Sequence, residues 1–166
     1  WVNAVAWSMD GSLLATASGD ATARLWSTKD WKLVAVLRGH TGAVTHCRFC
    51  ASCLATSSTD GWLRLWSMRG TELGARRLHT TSGGTVGMAA LMPNVVTIGE
   101  DGTLCIASAL EDAELAHLVG HAAPVRHVAF APQCSSLMAT ASDDGTVRVW
   151  DWSRAQQRQQ QRQQYT

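Results

Sequence analysis

Charge is the first thing this sequence has little of. Only 16% of its 166 residues are charged, and the net charge is +1 with the histidines neutral. Binders of nucleic acid or of anionic membranes ordinarily carry a basic patch or stripe, and no footprint of that kind is present. Long apolar runs are also missing. The richest stretch, 88–98, is broken by Pro93 and Asn94, whereas a membrane-crossing helix needs about 20 consecutive apolar residues. No signal-peptide pattern opens the chain. It starts at Trp1, in the middle of a repeat, so a piece of a longer protein is expected. Cysteine is present without a framework, at five residues, an odd number. That count fits a reducing compartment better than secretion. The expected location is intracellular, with cytoplasm and nucleus not distinguished.

What is present is one motif written four times. Residues 16–27 read TASGDATARLWS, 56–67 read TSSTDGWLRLWS, 97–108 read TIGEDGTLCIAS and 140–151 read TASDDGTVRVWD. The anchoring aspartates Asp20, Asp60, Asp101 and Asp144 are spaced by 40, 41 and 43 residues. Each follows a threonine by four positions: Thr16, Thr56, Thr97 and Thr140. Six positions later stand Trp26, Trp66, Ala107 and Trp150. A histidine comes roughly twenty residues before the aspartate in three units, as His40, His79 and His121, twice in a Gly-His pair. A fixed period of this length is the signature of a repeat architecture.

These anchors resemble the WD-repeat β-propeller family, with its Gly-His opening and Trp-Asp close. The resemblance runs from Val2 to Asp151. It implies an all-β fold of four blades, each with four short antiparallel strands, named a to d from the axis outward. The expected blades are 1–38, 39–78, 79–119 and 120–152. Alternating apolar residues predict the strands, and Asp-Gly pairs at 10–11, 60–61, 101–102 and 144–145 predict turns. In the third unit Leu78 replaces Gly and Ala107 replaces Trp. No strand d follows the fourth unit, because 153–166 is a Gln/Arg-rich tail of poor strand propensity, expected to be disordered. Propellers of this family usually close with an N-terminal segment supplying that strand, which is absent here. The chain is therefore expected to be an open arc. A closed four-bladed ring, or two arcs completing one ring, are the alternatives.

His, Thr and Asp together also resemble a hydrolase triad, with Thr as nucleophile. Repetition argues against catalysis, which needs one site. In the WD-repeat family these residues brace each blade. Carried over by motif position, the bracing sets are Thr16, Asp20 and Trp26; His40, Thr56, Asp60 and Trp66; Thr97 and Asp101, with His79 if the loop register allows; and His121, Thr140, Asp144 and Trp150. Cys47, Cys50 and Cys53 suggest a metal pattern, but Cys47 aligns with the core positions Val5 and Val128. The three read as packing residues, so no metal, cofactor or catalytic residue is expected. Trp31, Trp62 and Trp152 have no counterpart in the other units. Trp62, beside the Asp60 turn, reads equally as a partner anchor or as packing on the next blade.

The resemblance implies a binding platform without catalysis. Family members usually bind proteins or peptides on the face carrying the d–a and b–c loops. Here those loops include Thr41, Thr59, Trp62, Thr80, Glu100, Ala122 and Asp143. Two other roles are weighed. A cullin-type ubiquitin-ligase receptor would carry Trp-Asp-x-Arg, and the chain has only near-misses, at 66–69 and 150–154. RNA association through the Arg/Gln tail is disfavoured by the near-neutral charge. No membrane contact is expected.

Overall fold

The computed structural model describes residues 1–50, 52–79, 84–91, 94–109, 114–131 and 134–153. The first sheet holds β1 (Val2–Trp7), β2 (Leu13–Ser18), β3 (Thr22–Ser27) and β4 (Leu33–Arg38). The second holds β5 (Val44–Phe49), β6 (Cys53–Ser58), β7 (Trp62–Ser67) and β8 (Glu72–Arg77). The third holds β9 (Thr85–Leu91), β10 (Asn94–Gly99), β11 (Thr103–Ser108) and β12 (Glu114–Val119). The fourth has β13 (Val125–Ala131), β14 (Cys134–Ser142) and β15 (Val147–Asp151). Strands run antiparallel in chain order within every sheet. Among the described residues the fourth sheet has three strands and no strand d. The tail beyond Ser153 lies outside the described residues.

The sequence explains these strands locally. Each is about six residues long and alternates the sides on which its side chains stand. In β2, Ala15 and Ala17 are fully buried and flank the half-buried Thr16. The b–c turns need a residue that tolerates positive φ. Gly61 sits at φ +81°, and a Cβ there would collide with the carbonyl oxygen of His79. The first blade has Ala21 at this place instead, with φ 66°, a left-handed conformation that costs a non-glycine residue about 1–2 kcal/mol.

The core lies in the seams between blades. Ala15, Ala17, Ala23, Leu25 and Leu37 of the first blade meet Val44, Cys47, Leu54 and Trp66 of the second. Ala55 and Leu63 of the second meet Met88, Val95, Cys105 and Ala107 of the third. Ile98, Leu104 and Ile106 of the third meet Val125, Met138 and Trp152 of the fourth. Each fully buried leucine or isoleucine contributes about 1.5–3 kcal/mol. The forward face of each of the first three sheets therefore packs against the back face of the next, the face that carries the brace threonine.

The inner strands touch in succession, β1 on β5, β5 on β9 and β9 on β13, but β13 makes no comparable contact with β1. The molecule is an open arc. Its two terminal faces are exposed. Val5 and Trp7 are each 55% exposed on the first blade, and Val147 and Val149 are 71% and 72% exposed on the fourth. By register Val149 corresponds to Leu25, which is 0% exposed.

Candidate functional site

Two kinds of residue recur in each blade: a buried polar set, and the loops above it. In the second blade His40 Nδ1 lies 3.0 Å from Asp60 Oδ2, and Nε2 lies 2.9 Å from Thr56 Oγ1. The indole N–H of Trp66 donates to the same hydroxyl at 2.8 Å. The Asp60 carboxylate can only accept, so in the neutral ring Nε2 carries no proton and accepts from the Thr56 hydroxyl. The ring proton therefore sits on Nδ1 and donates to the carboxylate. Asp60 also accepts from the backbone N–H of Thr41 and of Trp62, both at 2.9 Å. One carboxylate thus ties the d–a loop to the b–c turn.

The electrostatics follow from this. Burial pushes the His40 pKa down, outweighing the opposing pull of Asp60, so the ring is neutral. Burial pushes Asp60 up, but the N–H groups of Trp62 and Thr41 with His40 more than offset it, and the carboxyl stays below its usual value. Asp144 is lowered chiefly by the Thr146 hydroxyl, with His121 and the N–H groups of Thr146 and Ala122 adding to it.

The structure also brings together His121, Thr140, Asp144 and Trp150. His121 is 2.8 Å from both Asp144 and Thr140, and Trp150 donates to Thr140 at 2.7 Å. In the third blade His79 contacts Asp101 at 3.3 Å and Thr97 at 3.0 Å, with Thr103 bonding Asp101. The register of the d–a loop places His79 in the set despite the missing Gly. In the first blade Trp26 donates to Thr16 at 3.2 Å, and Asp20 holds Thr22 by its N–H and hydroxyl. The connectivity is that of a triad, yet Thr56 and Thr97 are 0% exposed and Thr140 is 2% exposed. These hydroxyls are closed to solvent, and those of Thr56 and Thr140 are also bonded by an indole, so they serve the brace.

Cys47 lies in the seam between the first two blades, whereas Cys50 and Cys53 lie in the next. Cys50 N–H donates to the Cys53 carbonyl at 2.8 Å, closing the hairpin. Burial raises the Cys47 thiol to about 11, which makes it a packing group at neutral pH.

Above the braces, backbone bonds join each b–c turn to the loop that enters strand a of its own blade. These are Gly19 N–H to Trp1 O at 2.9 Å, Thr59 N–H to Ala43 O at 3.0 Å, Glu100 N–H to Gly84 O at 3.3 Å and Asp143 N–H to Pro124 O at 3.0 Å. The expected face residues stand on these loops. Thr41, Glu100, Ala122 and Asp143 are exposed, and Thr59 and Trp62 are half-buried. Thr80 lies outside the described residues. Trp62 carries the Arg64 guanidinium 5.7 Å from its ring centroid, and Arg64 pairs with Glu72 at 2.8 Å. Sequence reasoning missed Arg126, whose Nε donates to Asp143 at 2.8 Å. It also missed the position of Trp152, which is 1% exposed in the last seam.

Four sheets packed face to face around inner strands, each braced by an Asp, a Thr and with few exceptions a Trp and a His, define blades of a β-propeller. The family model of the WD domain, G-beta repeat, matches residues 1–27, 31–67 and 113–151. The chain belongs to this family. It is 32% identical over 181 aligned residues to apoptotic protease-activating factor 1 of Danio rerio, a match covering 92% of this chain and 12% of that protein. The mouse protein of the same name is 28% identical, with the same coverage. A shorter match, 49% identical over 47 residues, is to the human WD repeat-containing protein 86. The chain thus spans about an eighth of the length of these relatives. Among solved structures it resembles a chain of the mitotic checkpoint complex, with a TM-score of 0.84 and 23% identity, covering 93% of this chain and 49% of that one. It also resembles the computationally designed Ika4 protein, with a TM-score of 0.81 and 24% identity, covering 91% of each. These likenesses concern the fold.

Proposed function

We propose that the chain is a non-catalytic protein–protein interaction scaffold whose d–a and b–c loops present the partner-binding face. WD-repeat propellers are generally platforms of this kind, and the loops here are built for it. The carrying observation is the backbone bond between b–c turn and d–a loop in each of the four blades. It fixes the main chain of Thr59, Glu100 and Asp143 while Glu100 and Asp143 keep exposed side chains. A preordered surface loses less entropy on association. The coverage of about an eighth of the longer relatives supports a module working within a larger protein or complex. An odd cysteine count and the buried cysteines Cys47, Cys50, Cys53 and Cys105 support an intracellular, reducing setting.

The test is a loop variant carrying Thr59→Lys, Glu100→Lys and Asp143→Lys, compared with the native chain by quantitative co-purification. Circular dichroism and melting confirm that both are folded. A set of proteins retained by the native chain and lost by the variant is expected. An identical set in both samples would defeat the assignment of this face.

A further inference from the structure

The end of each third strand fills the seam with the preceding blade. In the fourth blade two positions do this, the repeat tryptophan and the residue two places on. The second blade has Trp66 and Met68 there, the fourth has Trp150 and Trp152, and the third has Ala107 and Ala109. Trp66 is 3% exposed and packs with Leu25 and Leu37 of the first blade. Trp152 packs with Leu104 and Ile106 of the third blade. Between the second and third blades the corresponding place is a cleft of about 320 Å³. Leu63, Leu65, Gly74 and Ala75 line one side of it, and Ala107 and Ala109 the other.

Only part of the space given up by Trp has been refilled. In the fourth blade a Cβ on Gly120 would come within 2.9 Å of the Trp150 ring and 3.1 Å of the Arg148 guanidinium. The third blade has Ala107 and Cys105 at those positions, and its Gly has become Leu78, which is 7% exposed in the seam core. Leu78 closes the inner end beside His79. The cleft runs to the a–b hairpin at Ser52 and the end of β11.

We propose that this cleft seats an aromatic side chain, an indole above all, presented by a partner protein. The neighbouring seam shows what fits. There an indole, Trp152, is 1% exposed at the position equivalent to Ala109. The lining is mainly apolar, with Arg76, Ser52 and Ser108 as its polar members, a slot between two stacked sheets suited to a flat ring. The cleft lies at the ends of the strands opposite the loop face. It therefore adds a second surface to the scaffold reading, on which it rests only for the source of the side chain.

The test titrates N-acetyl-tryptophanamide into the full chain, with binding read from the ligand by saturation-transfer NMR. Gly74→Phe fills the cleft from within. Gly74 faces Leu65 in register, and a Cβ there meets nothing within 4 Å, so the sheet accepts the ring. Ala107→Trp is the second filling variant. Saturable binding to the native chain is expected, weakened about tenfold or more by either substitution, with N-acetyl-lysinamide not binding. Absence of saturable binding to the native chain, or equal binding to the folded Gly74→Phe chain, overturns the proposal. Should Ala107→Trp not fold, Gly74→Phe decides alone. The assay uses no partner protein, so its failure leaves the loop-face test untouched, and failure of that test leaves this one.

Discussion

At the scale of single residues, the aspartate of each brace serves two loops and a ring at once. Asp60 has a side chain only 7% exposed and holds His40 together with the N–H groups of Thr41 and Trp62. Asp60→Ala leaves all three donors without their acceptor. It is expected to cost about 3 kcal/mol, read as a lowered urea midpoint. Asp20→Ala is expected to cost less, because Asp20 is 49% exposed and binds no histidine. An equal loss in both would refute the bracing role of the buried set. The same residues predict a two-phase acid response. His40 is neutral in the fold with a pKa below the ordinary 6.5, so the unfolded chain takes up a proton first. Stability then falls as pH drops below 6.5. Asp60, Asp101 and Asp144 are depressed below 3.8. Their contribution is present above that value and is lost as pH falls through the folded values. Urea midpoints measured from pH 8 to pH 3 should be flat down to about 6.5 and then decline in those two ranges. A flat profile down to pH 4 would exclude the histidine phase.

At the scale of the element, the seam is the unit of construction, and here the limits of the sequence are plain. Strands were legible because alternating apolar residues between Asp-Gly turns have one reading. The braces of the second and fourth blades were legible from the motif positions that the family resemblance carries over. In this sequence the first-blade brace shows Thr16, Asp20 and Trp26, and the third keeps a histidine through a loop register that spacing did not fix. The seams were not legible, since they depend on residues about forty positions apart meeting across two sheets. Trp152 looked unique because nothing in its own strand explains it. Its role lies in Leu104 and Ile106 of the blade before. Leu78 looked like decay of the Gly-His pair, whereas it occupies room released by Ala107 and Cys105. Leu78→Gly is therefore expected to destabilise the chain by about 2–4 kcal/mol. Combining it with Ala107→Trp should recover part of that loss, as a coupling between the two changes in thermal melts. Simple additivity of the two would show that they do not share a space.

At the scale of the whole molecule, an arc treats equivalent residues unequally. Leu25 and Val149 hold the same register position on the first and last blades, at 0% and 72% exposure. Leu25→Lys buries a charge without a partner and is expected to cost more than about 4 kcal/mol or to prevent folding. Val149→Lys is expected to stay within about 0.5 kcal/mol of the native chain. Comparable losses from both, measured by denaturant titration, would mean that the last face is covered in solution.

The four backbone bonds that join b–c turn to d–a loop also have a kinetic signature. The amide protons of Gly19, Thr59, Glu100 and Asp143 sit on loops next to solvent, where amides ordinarily trade with deuterium fast. Each is held by a carbonyl of the neighbouring loop. They should release it only when their blade opens, on the slow clock of the strands and not that of the surface. A face that keeps that clock is a rigid template, and partners that match its spacing bind without first waiting for it to form.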